Sequence, residues 1–171
     1  FVPTRPISTY ITVIVAGPYH VEHDSYARPL DDGQVLDIPL SVLCRRSLAR
    51  HLDAERVFEV TKRGLDFFHE QFDYPYPFGK YDQAFVPEYN LGAMENPGCV
   101  TFREELIFRG KVTRTSYERR ANIILHEMAH MWFGDLVTMR WWNDLWLNES
   151  FATFASVLCQ SEATEYTEAW T

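Results

Sequence analysis

The chain predicts an α+β fold, a small mixed β-sheet with helices, and three observations carry the prediction. Residues Tyr19 to Tyr26 and Val35 to Leu43 alternate apolar and polar side chains around Pro29 and the turn Asp31-Asp32-Gly33, the pattern of a half-buried strand pair. Val57, Val60, Leu65, Phe68 and Phe72 recur at the spacing of one helix face. The stretch His126 to Ser150, HEMAHMWFGDLVTMRWWNDLWLNES, then runs through a helical segment, a glycine break and the start of another helix.

At 171 residues, 46% of them apolar, the chain has the length of one domain and can bury a core. Sixteen basic against twenty-four acidic residues leave a net charge of -8, which argues against nucleic acid as the main partner. The cluster Arg109, Lys111, Arg114, Arg119 and Arg120 is interrupted by Glu118 and reads as a solvated face. Cys44, Cys99 and Cys159 stand apart, form no Cys-x-x-Cys pair and read as reduced thiols. No apolar run approaches a membrane span, and the residues FVPTRP lack the charged start and apolar core of a signal peptide. A cytoplasmic protein is therefore expected.

Thr9 to Ala16, TYITVIVA, is β-branched and apolar and predicts a buried strand, broken by Gly17-Pro18. His20 and His23, three apart on the next strand, point to opposite faces and read as surface residues. Asp53 is the expected cap of the first helix, and Tyr74-Pro75-Tyr76-Pro77 stops it. Gly64 inside that helix signals close packing or nothing in particular. Tyr81 to Tyr89 resumes extended structure, with Pro87 favouring a sheet edge. Asn90 to Gly98, NLGAMENPG, has the composition of a loop with a lone acid, Glu95. Such a loop is ordinarily a plain connection, but beside a metal site its backbone and carboxylate would suit a peptide with a free amino end. Val100 to Phe102 and Leu106 to Phe108 are short extended segments. Thr115-Ser116-Tyr117-Glu118 is a capping-box pattern, Ile124, Leu125, Met128 and Trp132 the apolar stripe of the helix it starts, and Gly134 its left-handed terminator. Leu147, Phe151, Phe154, Ala155 and Leu158 repeat at helical spacing. Trp132, Trp141, Trp142 and Trp146 are expected to pack these two helices rather than to stack bases or sugars.

His126-Glu127-Met128-Ala129-His130 sets two imidazoles one helical turn apart on one face, where both can reach one metal ion. A hydrolytic zinc site usually takes a third ligand, often a carboxylate, and leaves a fourth position for water. Glu149, with eighteen residues between it and His130, is that candidate, and Glu127 sits where a base for the water is needed. Paired histidines on an apolar helix are often plain core residues, and the bare pattern recurs by accident. The helix signals, the intervening glutamate and the downstream one together favour zinc.

GAMEN at Gly92 to Asn96, HEMAH at His126 to His130 and WLNES at Trp146 to Ser150 together resemble the aminopeptidase N family of zinc metallopeptidases, thermolysin-like gluzincins. The segments YPFGKYDQAFVPEYN and WFGDLVTMRWWNDLWLNES look most similar to its bacterial, actinobacterial-type members. The resemblance implies that His126, His130 and Glu149 bind zinc, that Glu127 is the catalytic base, and that Glu95 with Gly92, Ala93, Met94 and Asn96 receives the substrate's amino terminus. The implied activity is release of amino-terminal residues from peptides. Residues 1–17 would be the tail of a preceding β domain, its last strand, and residues 18–171 the N-terminal part of a thermolysin-like catalytic domain, truncated. The family's oxyanion-stabilising tyrosine would lie past Thr171, so this piece alone is expected to turn over poorly. Ser150 departs from the glycine common at its position. Two alternatives stay open. One is a leukotriene epoxide hydrolase-like enzyme, whose members favour GGMEN where this chain has Ala93; the other is a non-catalytic zinc-stabilised binding module, against which Glu127 speaks.

Overall fold

The computed structural model describes residues 3–170. Among them, five strands form one mixed sheet in the order β1-β2-β3-β5-β4. The strands are β1 Tyr19–Pro29, β2 Val35–Arg45, β3 Tyr81–Val86, β4 Ala93–Met94 and β5 Cys99–Arg103, and the helices are α1 Ala54–Phe72, α2 Arg114–His130 and α3 Leu145–Ala163. The α+β expectation holds. None of these helices is long and apolar enough to cross a membrane.

β1 and β2 pair antiparallel, Tyr19 opposite Arg45 through Pro29 opposite Val35. Their register turns Tyr26, Ile38, Leu40, Val42 and Cys44 into the core. A parallel neighbour to β2 needs a long crossover, and α1 supplies it, so that β3 lies alongside β2 with Leu40 opposite Tyr81 and Cys44 opposite Phe85. β5 runs parallel to β3, and β4 closes the far edge antiparallel to β5. Leu65 and Phe68 of α1, Phe85 and Phe102 of the sheet and Leu125 and Met128 of α2 are fully buried together. Burying each such side chain contributes about 1.5–3 kcal/mol.

Gly64 marks the close packing that was one of its two readings. A Cβ there would lie 2.6 Å from Leu125 Cδ2 and 2.9 Å from Met128 Sδ, so α1 and α2 meet so closely that a methyl group would have to displace both buried side chains. That contact braces the half of α2 that carries the two histidines.

Several expectations are corrected. Thr9–Ile11 form a 3-10 turn, and the residues after it are not a strand. Ile11 is buried while Ile14 is 91% exposed; β-branched composition makes a strand only where a neighbouring strand can pair with it, and none does here among the described residues. β3 sits in the middle of the sheet, not at an edge, and ends at Val86; Pro87 follows in the turn, where its missing N–H costs no ladder bond. Glu104–Leu106 form a 3-10 turn in place of an extended segment starting at Leu106. Asp53 precedes α1 but does not cap it. Its carboxylate instead accepts from Arg120 at 2.8 Å and pairs with Arg56 at 3.3 Å, charged donors that outcompete a backbone amide. α2 starts at Arg114 with Thr113 at the cap position, two residues before the Thr115 expected to fill it.

Trp132 is 2% exposed, but Trp141, Trp142 and Trp146 are 69%, 60% and 60% exposed and do not pack the helix pair. α3 buries Ala152, Ala155, Ser156 and Cys159 instead. These small side chains bring the helices close, with Asn122 of α2 donating to Gln160 of α3 at 2.8 Å, and leave no room for indoles.

Candidate active site

The last turns of α2 hold the two imidazoles 4.6 Å apart between centroids and perpendicular, with their Nε2 atoms 3.1 Å from each other. His130 is oriented from behind: its Nδ1 lies 3.0 Å from the Phe133 carbonyl, which can only accept, so Nδ1 carries the proton and Nε2 presents a lone pair. That carbonyl is placed by a wound turn past the helix, in which Phe133 N–H donates to Ala129, Asp135 N–H to His130 and Leu136 N–H to Met131. α2 therefore closes at His130, and Gly134, at φ +133°, falls four residues later within this turn. Trp132 anchors the turn from inside, donating to the Tyr74 carbonyl at 2.9 Å among Phe68, Phe72 and Tyr76.

Glu149, in the second turn of α3, completes the group. Its Oε2 lies 3.7 Å from His126 Nε2 and 3.8 Å from His130 Nε2. Its position is set partly by its neighbour Asn148, which packs on Gly134: a Cβ at 134 would lie 2.6 Å from Asn148 Oδ1. The donor set fits zinc. Two imidazole nitrogens and a carboxylate oxygen are the ligand types of a hydrolytic site, and a point equidistant from the three atoms lies about 2.1 Å from each, the length of a zinc–nitrogen or zinc–oxygen bond. Burial, and then His130 alongside, push His126 down to about 4, so its ring stays neutral and able to donate a lone pair.

Glu127 and Glu95 are both buried, and their carboxylate oxygens lie with a His130 nitrogen within 4.8 Å of one another. Burial, followed by the charges of Glu95, Glu149 and Asp135, holds Glu127 well above the ordinary carboxylate range. Glu95 reaches the site because β4 is pinned to β5. Ala93 pairs with Phe102 and Met94 with Thr101, while the Gly92 carbonyl accepts from Arg103 N–H at 3.1 Å. Asn96 turns away: its amide donates to the Ile11 carbonyl at 2.9 Å and its oxygen accepts from Thr101 at 2.8 Å. Of the predicted residues, the structure thus gathers His126, Glu127, His130, Glu149 and Glu95. Gly92, Ala93 and Met94 lie on the adjoining edge, and Asn96 is a brace for the loop.

Two residues of the site went unread in the sequence. Tyr10 donates to Glu95 Oε1 at 2.9 Å across 85 positions of chain, a separation that no local pattern reveals. Asp135 is 6% exposed with neither carboxylate oxygen partnered, and burial together with Glu95 pushes it up to about 9. An acid set between Gly134 and Leu136, five residues past His130, was the available signal.

A model of the peptidase family M1 domain matches residues 56–171. The chain is 59% identical over 173 residues to aminopeptidase N of Streptomyces lividans, covering 100% of this chain and 20% of that protein. It is 39% identical over 157 residues to tricorn protease-interacting factor F2 of Thermoplasma acidophilum, at 91% and 18% coverage. With aminopeptidase N of Homo sapiens it shares 38% over 160 residues, at 92% and 16%. The chain spans about a fifth of the length of these relatives.

Proposed function

The chain belongs to peptidase family M1, and on that premise we propose that it carries the metal-binding part of a zinc-dependent aminopeptidase, which releases residues from peptides with a free amino end. The observation that supports this most is that two groups share His130: the His126, His130, Glu149 triangle, and the carboxylates of Glu95 and Glu127 within 4.8 Å of it. An extended residue spans about 3.5 Å, so an ammonium held by Glu95 would bring the first peptide bond, rather than a later one, to Glu127.

In this reading His126, His130 and Glu149 hold zinc, which when bound polarises the scissile carbonyl and makes water acidic enough to react near neutral pH. Glu127 takes the proton from the attacking water and delivers it to the departing nitrogen; its raised proton affinity supports that role. Glu95 pairs with the substrate ammonium, a charge-assisted contact that selects chain ends. The edge formed by Gly92, Ala93 and Met94 lines the approach, with Asn96 bracing the loop behind it. We further assign residues 1–17 to the tail of a preceding β domain and 18–171 to the N-terminal part of the catalytic domain. A cytoplasmic setting is supported by three free cysteines, two of them buried.

The test is Glu127→Gln in the full-length protein. Metal analysis should find zinc unchanged while kcat on aminoacyl anilides falls about 10²–10⁴-fold. Normal turnover by that variant would refute the assignment of the base.

A further inference from the structure

We infer that Tyr10 is a positioning residue for the amino-terminus site: its hydroxyl fixes Glu95 so that the second carboxylate oxygen is presented to the substrate's ammonium group. The inference rests on the role proposed for Glu95. That side chain is 2% exposed and surrounded by like groups, with Glu127 and Asp135 nearby. Among the described residues no lysine or arginine pairs with it, and the donor its carboxylate meets is the Tyr10 hydroxyl, at 2.9 Å on Oε1. One oxygen held in this way selects one rotamer and leaves the other oxygen unengaged, the arrangement a cationic ligand requires.

Tyr10 can do this because it is itself held from both sides of the site. The Ile11 carbonyl accepts from Asn96, the residue after Glu95, at 2.9 Å. Asn148, the residue before Glu149, donates to the Tyr10 oxygen in a long contact of 3.4 Å. The ring also packs edge-on against Trp142, centroids 6.5 Å apart. The turn Thr9–Ile11 therefore ties the Glu95 loop to the start of α3, and its tyrosine sets the aim of the carboxylate.

Tyr10→Phe removes the hydroxyl and keeps the ring. In the full-length enzyme we expect KM for an aminoacyl anilide to rise about tenfold with kcat within about twofold of wild type and zinc content unchanged, as loss of a hydrogen bond to a charged group predicts. Placed in a Glu95→Gln background, the same change should add nothing, because its target is gone. If Glu95→Gln leaves KM at the wild-type value, the amine-anchor reading itself fails. If Glu95→Gln raises KM but Tyr10→Phe does not, only the inference about Tyr10 fails. Effects that multiply in the double variant, or a Tyr10→Phe enzyme that loses zinc or unfolds at lower temperature, show a residue serving the fold rather than Glu95, and overturn the inference equally.

Discussion

The two halves of the candidate site are built differently. The α2 half is finished within this chain: His130 has a side-chain exposure of 1% and His126 of 22%, both braced by the Gly64 crossing and by the aromatic cluster around Trp132. The α3 half faces outward. Glu149 is 52% exposed, and Trp146, Leu147 and Phe154 on the same helix are 60%, 44% and 50% exposed. The imidazoles are thus placed by core packing, whereas the carboxylate depends on its neighbour Asn148, which meets Gly134 and Tyr10. Ligands drawn from one sequence stretch need not be equally preorganised.

The widest separation between the halves should appear in metal binding and stability together. His130→Ala and Glu149→Ala should each weaken zinc by at least about a hundredfold, since each removes one of the three proposed ligands. In the zinc-free chain, however, His130→Ala should also cost about 1–3 kcal/mol by stranding the Phe133 carbonyl, while Glu149→Ala should stay within about 0.5 kcal/mol. Equal losses in urea titrations of the zinc-free forms would break the comparison.

Acid should attack the α2 half first, through His69. Burial, with Arg28 adding, pushes this histidine down to about 4, and its Nε2 accepts from Tyr76 N–H at 2.9 Å, so the folded chain holds it neutral. The unfolded chain protonates it near pH 6.5, so its contribution is intact above that pH. It is lost as pH falls from there towards about 4, by on the order of 3 kcal/mol in all. His69→Gln should lessen the dependence of the urea midpoint on pH across that window without abolishing it, since His126 is held down to about 4 as well; an unchanged slope would mean that His69 carries none of it.

Smaller still is a contrast of substitutions. Gly64→Ala should cost about 1–3 kcal/mol by forcing a methyl group against Leu125 and Met128, whereas Trp146→Ser should change stability by no more than about 0.5 kcal/mol. Thermal unfolding of the two variants measures the difference, and a larger loss at Trp146 would show that the outward half is packed after all.

The candidate ligands were legible because their geometry is local. Four residues of helix fix the relation of His126 to His130, and a glycine break followed by a new apolar period locates Glu149. The hairpin of β1 and β2 was legible for the same reason. What escaped depends on competition between distant groups. Asp53 has a cap's identity, but Arg120 claims its carboxylate from 67 positions away. The apolar run after Thr9 and the indoles of Trp141, Trp142 and Trp146 suggest burial, yet composition does not say whether a partner surface is at hand. The Tyr10–Glu95 bond joins two segments that neither periodicity nor spacing relates.

At Gly134 the crowding by Asn148 carries a further meaning. With a methyl group at that point set against the Asn148 amide, the turn that leaves α2 and the start of α3 meet through one side chain packed on bare backbone. A bulkier residue at 134 would push against Asn148 and so change the span from imidazole to carboxylate without touching any of the three donors.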